Sequence, residues 1–209
     1  MGTIKTTNIE PIADNGTVAL GSSGDTFNIP NGSKINVASG GNITVASGAT
    51  ITNNGTQTGF GGANTPAFHA KLSSTQSVSN DTEQKINVNT EDFDTDNCYD
   101  NSTNYRFTPT VAGKYWCYGQ TGVYGGDTGR VSVLQTRLKK NGNIVFYNSQ
   151  DTRNNQHRQI SSPIGALIDF NGSSDYLEMH CYISLTSTSG SQITGDSSLT
   201  FFGAYKIIT

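Results

Sequence analysis

The residues with the most to offer chemically are acids. Asp92-Phe-Asp94-Thr-Asp96-Asn97 places a carboxylate at every second position, the spacing with which a calcium loop gathers oxygen ligands. Such a loop needs glycine at its sixth position and glutamate at its twelfth, where this chain has Asn97 and Thr103. The run therefore reads as a solvated loop. His69, His157 and His180 have no paired spacing that would suit zinc. No Gly-x-Ser-x-Gly element seats a nucleophile, and the spacing of Asp151, Asp175 and Glu178 gives no ground for reading them as the two placed carboxylates of a glycosidase. The reading is a non-enzymatic protein with no metal and no cofactor. Binding chemistry remains. Tyr124, within the glycine-rich stretch 122–129, and Arg153, His157 and Arg158 offer an aromatic face and guanidinium forks suited to carbohydrate or protein surfaces.

Composition narrows the partners. Of 209 residues only 33% are hydrophobic and 14% charged, while glycine fills 24 positions. A disordered chain poor in apolar residues is usually rich in charge. Here Asn, Ser, Thr and Gly carry the polarity, which points to an extended or assembled all-β protein. The formal charge of -3 argues against nucleic acid, since neutralising phosphates takes clustered Lys and Arg. The basic pair Lys139–Lys140 adjoins Asn141–Gly142 and reads as a hairpin tip. Cys98, Cys117 and Cys181 have no metal-ligand spacing and read as reduced thiols of a protein assembled in a cytoplasm. No charged-then-apolar leader opens the sequence, and no apolar run nears the ~20 residues of a membrane span, so membrane insertion is not expected.

The elements that must carry these residues begin with a repeat. From Phe27 onward the chain falls into blocks of eight that open apolar–polar–apolar: Phe27/Ile29, Ile35/Val37, Ile43/Val45, then Ile51. Gly32, Gly40 and Gly48 recur at one position, where a turn needs positive φ. Each block is expected to be a very short strand and a tight turn. One copy leaves its Ile/Val ladder bare, and too few blocks follow for a one-chain solenoid. Three copies about a common axis would bury it, so residues 27–58 are expected to form a trimeric β-stalk, a triple β-helix or β-prism. Residues 1–26, with isolated Ile4, Ile9 and Ile12, read as an extended arm that docks on another component. Residues 59–65 read as a Gly-rich junction.

Residues 66–209 change to longer strands at sandwich-like spacing. Phe68–Leu72, Lys114–Tyr118, Val131–Leu138, Ile144–Tyr147, Ile164–Phe170, Tyr176–Leu185 and Leu199–Ile208 alternate, and Asn141–Gly142 predicts a type I′ hairpin. No stretch has convincing helical periodicity.

Within this part, Phe68-His-Ala70, Arg106-Phe-Thr-Pro-Thr-Val-Ala-Gly-Lys-Tyr115, Lys140-Asn-Gly142, Asp175-Tyr-Leu-Glu178 and Phe201-Phe-Gly-Ala-Tyr205 resemble the globular-head family of the first complement component, which shares the tumour-necrosis-factor-like jelly roll. Phe107, Pro109, Gly113 and Tyr115 meet its Phe-x-Pro-x-x-x-Gly-x-Tyr element, and Phe201 and Gly203, with Tyr205 beyond, its terminal Phe-x-Gly. The resemblance implies a ten-stranded jelly roll closed about a threefold axis by aromatic and aliphatic side chains. The wording of the head and the opening Met-Gly-Thr-Ile-Lys-Thr-Thr-Asn-Ile-Glu-Pro look like those of phage virion proteins. Complement proteins carry a secretory leader and a collagen stalk instead.

The expectation is a trimeric bacteriophage fibre or short appendage. It would be held by another virion protein through residues 1–26 and would present its head to a host-surface glycan or protein. A capsid decoration protein and a secreted complement-like module are the alternatives.

Overall fold

The computed structural model describes residues 24, 26–52, 54, 64–195 and 199–207. The chain divides into two units, Met1–Thr56 and Gln57–Thr209. The expected arm over 1–26, save Gly24 and Thr26, and the junction over 59–65, save Asn64 and Thr65, lie outside the described residues.

In the first unit the eight-residue repeat is a repeat of turns. Ser33 N donates to Pro30 O at 3.0 Å, Gly41 N to Ala38 O at 2.9 Å, and Ala49 N to Ala46 O at 3.0 Å. Gly32, Gly40 and Gly48 sit third in these turns with φ of 81, 85 and 84°, which is the type II geometry that only a residue without Cβ adopts freely. Residues 26–52 contain no strand, contrary to the expectation from alternation. The physical reason is that a single copy offers these short extended stretches no neighbouring backbone to pair with. Phe27, Ile35, Val37, Ile43, Val45 and Ile51 are exposed, Ile43 by 69%, and Ile29 is half-buried.

The second unit is all-β among its described residues. Its strands are β1 (Ala67–Lys71), β2 (Gln76–Ser77), β3 (Thr82–Lys85), β4 (Thr90–Asp94), β5 (Tyr99–Asp100), β6 (Arg106–Phe107) and β7 (Gly113–Tyr124). They continue as β8 (Val131–Lys140), β9 (Asn143–Asp151), β10 (Gln159–Phe170), β11 (Leu177–Leu185), β12 (Gln192–Ile193) and β13 (Phe201–Lys206). One curled sheet runs β2-β12-β7-β13-β1-β4, with β10 along the other side of β7. The facing sheet runs β5-β6-β11-β8-β9, with β3 also along β11. This is a jelly roll.

Among the described residues, thirteen strand segments stand where the family resemblance implied ten strands, and four of them (β2, β5, β6 and β12) are only two residues long. Some are interruptions: β12 and β13 occupy successive stretches of one side of β7, and β2 and β1 line them in turn. The expected loop over Asp92–Asn97 also begins in a strand. β4 pairs with β1 through a bulge between His69 and Ala70 and ends at Asp94. Such a bulge disturbs the two-residue alternation by which a strand is recognised.

Strand alternation sets the layers. Along β7, Tyr115, Cys117, Thr121 and Val123 point inward while Lys114, Trp116, Tyr118 and Gln120 alternate with them; along β11, Leu177, Met179, Cys181, Ile183 and Leu185 are buried. Asn141 and Gly142 have φ of 52 and 80° and join Lys140 to its partner Asn143, as a type I′ turn should. The core centres on rings. Phe68 stacks on Tyr99 at 4.3 Å and Phe107 at 4.8 Å, and Phe170 meets Phe107 and Tyr115 edge-on at 5.6 and 5.3 Å.

Truncating Phe68 or Phe107 to Ala is expected to cost about 3–5 kcal/mol each, against less than about 0.5 kcal/mol for Val111→Ala at an exposed turn. Urea denaturation followed by Trp116 fluorescence checks the ranking.

Candidate functional site

Of the four residues expected to bind, the structure brings two together. The Arg158 guanidinium lies over the Tyr124 ring at 5.0 Å and hydrogen-bonds to the Tyr124 hydroxyl. Both residues engage Asp127: Tyr124 Oη donates to its Oδ1 at 2.7 Å and Arg158 forms an ion pair with it. The Tyr124 hydrogen bond, followed by the Arg158 charge, holds the Asp127 carboxyl below its ordinary range. Arg153 does not join them. Its Nε donates to Asp151 at 2.9 and 3.0 Å within its own loop. His157 stays exposed and contributes backbone, accepting from Val131 N at 2.7 Å.

Sequence reasoning missed Asp127, which lies three residues beyond Tyr124 and was overlooked as one more polar residue in a glycine-rich stretch. It also missed Gln159 and Gln192, each opposite Tyr124 on a neighbouring strand. Tyr124, Gln159, Gln192 and Thr194 line a shallow cavity of about 220 Å³. Ala67 is level with Tyr205 and Tyr205 with Trp116. Tyr124 therefore stands eight residues along β7 from the level of Ala67 at the start of β1, or about 26 Å at ~3.3 Å per residue.

The residues that meet the resemblance motif divide between core and outer face. Phe107 and Tyr115 are fully buried and Pro109 is buried. Gly113 has φ of 142°, and a Cβ there would press on Lys206. A Cβ on Gly203 would stand 2.5 Å from the Tyr118 ring, and one on Gly165 2.6 Å from the Trp116 indole. These two glycines leave room for outward-facing rings that pass close over them. The result is an apolar band across the outer face of the first sheet, from Leu167 and Trp116 through Tyr205, Tyr118 and Phe201 to His69 and Phe93. Desolvation of the His69 ring lowers its pKa, with Asp92 opposing. A second apolar surface is the edge strand β9, where Ile144, Val145, Phe146 and Tyr147 are all exposed on a strand paired only with β8.

The alternating acids diverge. Asp92 pairs with Lys71 at 2.5 Å, Asp94 accepts from Tyr99 N at 2.8 Å, and Asp96 accepts from the neighbouring Thr95 hydroxyl. Among the described residues no group of three His, Cys, Asp or Glu is placed to hold a metal ion, and no helix is long and apolar enough to cross a membrane. Cys98, Cys117 and Cys181 are free and buried, and burial pushes the Cys181 thiol up to about 12. Beside the acids, Asp100 organises a tight turn. Its carboxylate accepts from the backbone N–H groups of Thr103 at 2.9 Å and of Ser102 and Asn104 at 3.1 Å, and from Asn104 Nδ2 at 2.7 Å. The Thr103 bond heads the causes that draw its pKa well below the ordinary carboxylate range.

No family model matches the chain and no curated protein matches it. Among solved structures the likeness is to tumour-necrosis-factor-like jelly rolls. Crystal structures of murine APRIL at pH 8.0 and pH 5.0 cover 68% of this chain and 98% of theirs, with 10% identity and TM-scores of 0.50 and 0.51. At that identity the likeness shows the fold alone.

Asp100→Asn tests the turn. A carboxylate with a lowered folded pKa lends stability above its unfolded pKa of about 3.9 and loses it as pH falls through the folded value. The substitution is expected to cost about 1 kcal/mol at pH 7, limited by solvent screening, and the gap in thermal midpoint should begin to narrow below about pH 4 and close only as pH falls through the depressed folded value.

Proposed function

We propose that this protein is a homotrimeric structural component of a bacteriophage particle. In this reading it is a fibre or short appendage held through residues 1–26, and its jelly roll is presented to the host surface. One observation carries the trimer: residues 27–51 expose Phe27, Ile35, Val37, Ile43, Val45 and Ile51 in one repeating phase, with identical type II turns between them. Six half-exposed side chains forgo roughly 1 kcal/mol or more each, a gain that three copies about one axis recover. Backbone pairing between copies would supply the strands that one copy lacks.

The head supports the same symmetry. Its aromatic band and its β9 edge are unlike surfaces on one molecule, and a face-to-edge contact between copies is heterologous, of the kind that closes into a ring of three when copies are related by a threefold rotation. Trp116, Tyr205 and Leu167 on the band, and Phe146 and Tyr147 on the edge, would become its buried centre. Three Tyr124–Asp127–Arg158 clusters would then share one end of the head, and weak binding by each would gain from the other two. The placement in a phage particle rests on the wording of the head and of residues 1–11. Nothing in this reading requires catalysis.

Light scattering of the full-length protein should return three times the 22.2 kDa chain. Ile35→Asp with Ile43→Asp, and separately Trp116→Glu, should each raise the dissociation constant at least tenfold; a well-folded wild-type monomer at micromolar concentration overturns the trimer. Labelling of intact particles tests the location, and competition of purified trimer with phage adsorption tests the appendage. Unchanged adsorption at saturation would favour capsid decoration.

A further inference from the structure

The flank of the head carries a cleft of about 560 Å³ between the edge of one sheet and the edge of the other. Glu91 comes from β4, Tyr99 and Asp100 from β5, Arg106 from β6, and Asn97, Asn101 and Ser102 from the connecting turns. Its volume is that of a small-molecule site, and its polar groups are largely unspent. Among the described residues the Glu91 carboxylate accepts no hydrogen bond and forms no ion pair. The Arg106 guanidinium stacks on the Tyr176 ring at 4.6 Å, an arrangement that orients its fork while leaving its N–H groups unused. The side-chain amides of Asn97 and Asn101 also have no hydrogen-bond partner among the described residues.

The frame behind these groups is stiff. Asp100 pins the turn over residues 101–104 through the bonds described above, and Thr108 N donates to Cys98 O at 2.7 Å. Asn97 and Tyr105 hold φ of 52 and 50°. Asparagine tolerates the left-handed region, but an aromatic residue there is a strained position of the kind that collects at binding sites.

We propose that this cleft binds an uncharged carbohydrate through vicinal hydroxyls. A hydroxyl donates and accepts at once, so a pair on neighbouring ring carbons meets a carboxylate with one face and a guanidinium fork or amide with the other. Apolar ligands gain little here, because Tyr99 is committed to the core against Phe68. Anions are disfavoured. Glu91 and Asp100 line the cleft beside a single Arg106, and Asp94 adds to burial in raising the Glu91 pKa. A bound cation is disfavoured too, because Asp94 and Asp100 have already committed their oxygens to backbone N–H groups. The site depends on neither the trimer nor the placement in a particle, and it is separate from the Tyr124 cluster.

Saturation-transfer NMR on the full-length protein, with the methyl glycosides of mannose, galactose and N-acetylglucosamine, tests the cleft, with methyl glucuronide as the charged comparison. At least one uncharged glycoside should bind at millimolar concentration while the glucuronide gives no signal. Glu91→Gln and Asn101→Ala should each weaken that binding at least fivefold without moving the thermal midpoint by more than about 2 °C, and Tyr124→Ala should leave it unchanged. If Glu91→Gln melts early, Asn101→Ala decides alone. Absence of signal from all three uncharged glycosides overturns the proposal, as does binding that survives in the decisive variants, follows Tyr124, or is matched by the glucuronide.

Discussion

The head is held by a knot of aromatic rings that ties its two sheets together. Phe68 from β1 and Phe202 from β13 belong to one sheet, and Tyr99 and Phe107 from β5 and β6 to the other; they meet at ring separations of 4.3 to 6.0 Å. Tyr115 and Phe170 extend the knot along β7 and β10. In a chain only 33% hydrophobic, a few large side chains must do the work that many aliphatics do elsewhere, since each aromatic buries 150–250 Å². The two-residue strands β5 and β6 illustrate the dependence. Ladders so short cannot hold themselves, and what anchors them is that Tyr99 and Phe107 are plugged into the core, with the Tyr99 hydroxyl donating to Val88 O at 2.8 Å.

That anchoring explains why the polar flank can be so exact in its geometry. Because Tyr99 fixes β5 from inside, Asp100, the next residue, faces outward on a steady base and gathers the N–H groups of the following turn. The carboxylate is thereby spent on the fold, while Glu91 and Arg106, on strands tied to the same knot, keep their hydrogen-bonding capacity. At the far end the division of labour differs. Gly122, buried under Leu199, lets the loop before β13 close over β7, and Tyr124 just beyond it is free to meet Asp127 and Arg158.

Legibility in the sequence followed the range of the physics. The Asn141–Gly142 hairpin and the type II turns at Gly32, Gly40 and Gly48 are decided within four residues, and both were readable. The long strands β7, β8 and β11 were readable from alternation, although β7 extends six residues past the expected end because Gly119 and Gly122 blur its pattern. β3 and β4 were not readable: Thr82–Lys85 and Thr90–Asp94 contain almost no apolar residues, and it is the neighbouring strands β11 and β1 that make them strands. The sites were less legible still. Tyr124 and Arg158 are 34 positions apart, and Glu91 and Arg106 are brought to one cleft only by the meeting of two sheet edges.

The glycines of the outer face add a last constraint. Trp116 passes so close over Gly165, and Tyr118 over Gly203, that no side chain fits beneath either ring. Replacing either glycine with any other residue would lift the ring and roughen the surface. An exposed aromatic band is useful where another surface lies against it closely, because close packing is what recovers dispersion energy from an interface. The same reasoning applies to the bare Ile/Val ladder of residues 27–51, whose turns keep every apolar side chain in phase. Two segments with unrelated local structure thus both leave apolar side chains open to water, and the proposed threefold assembly would cover both at once.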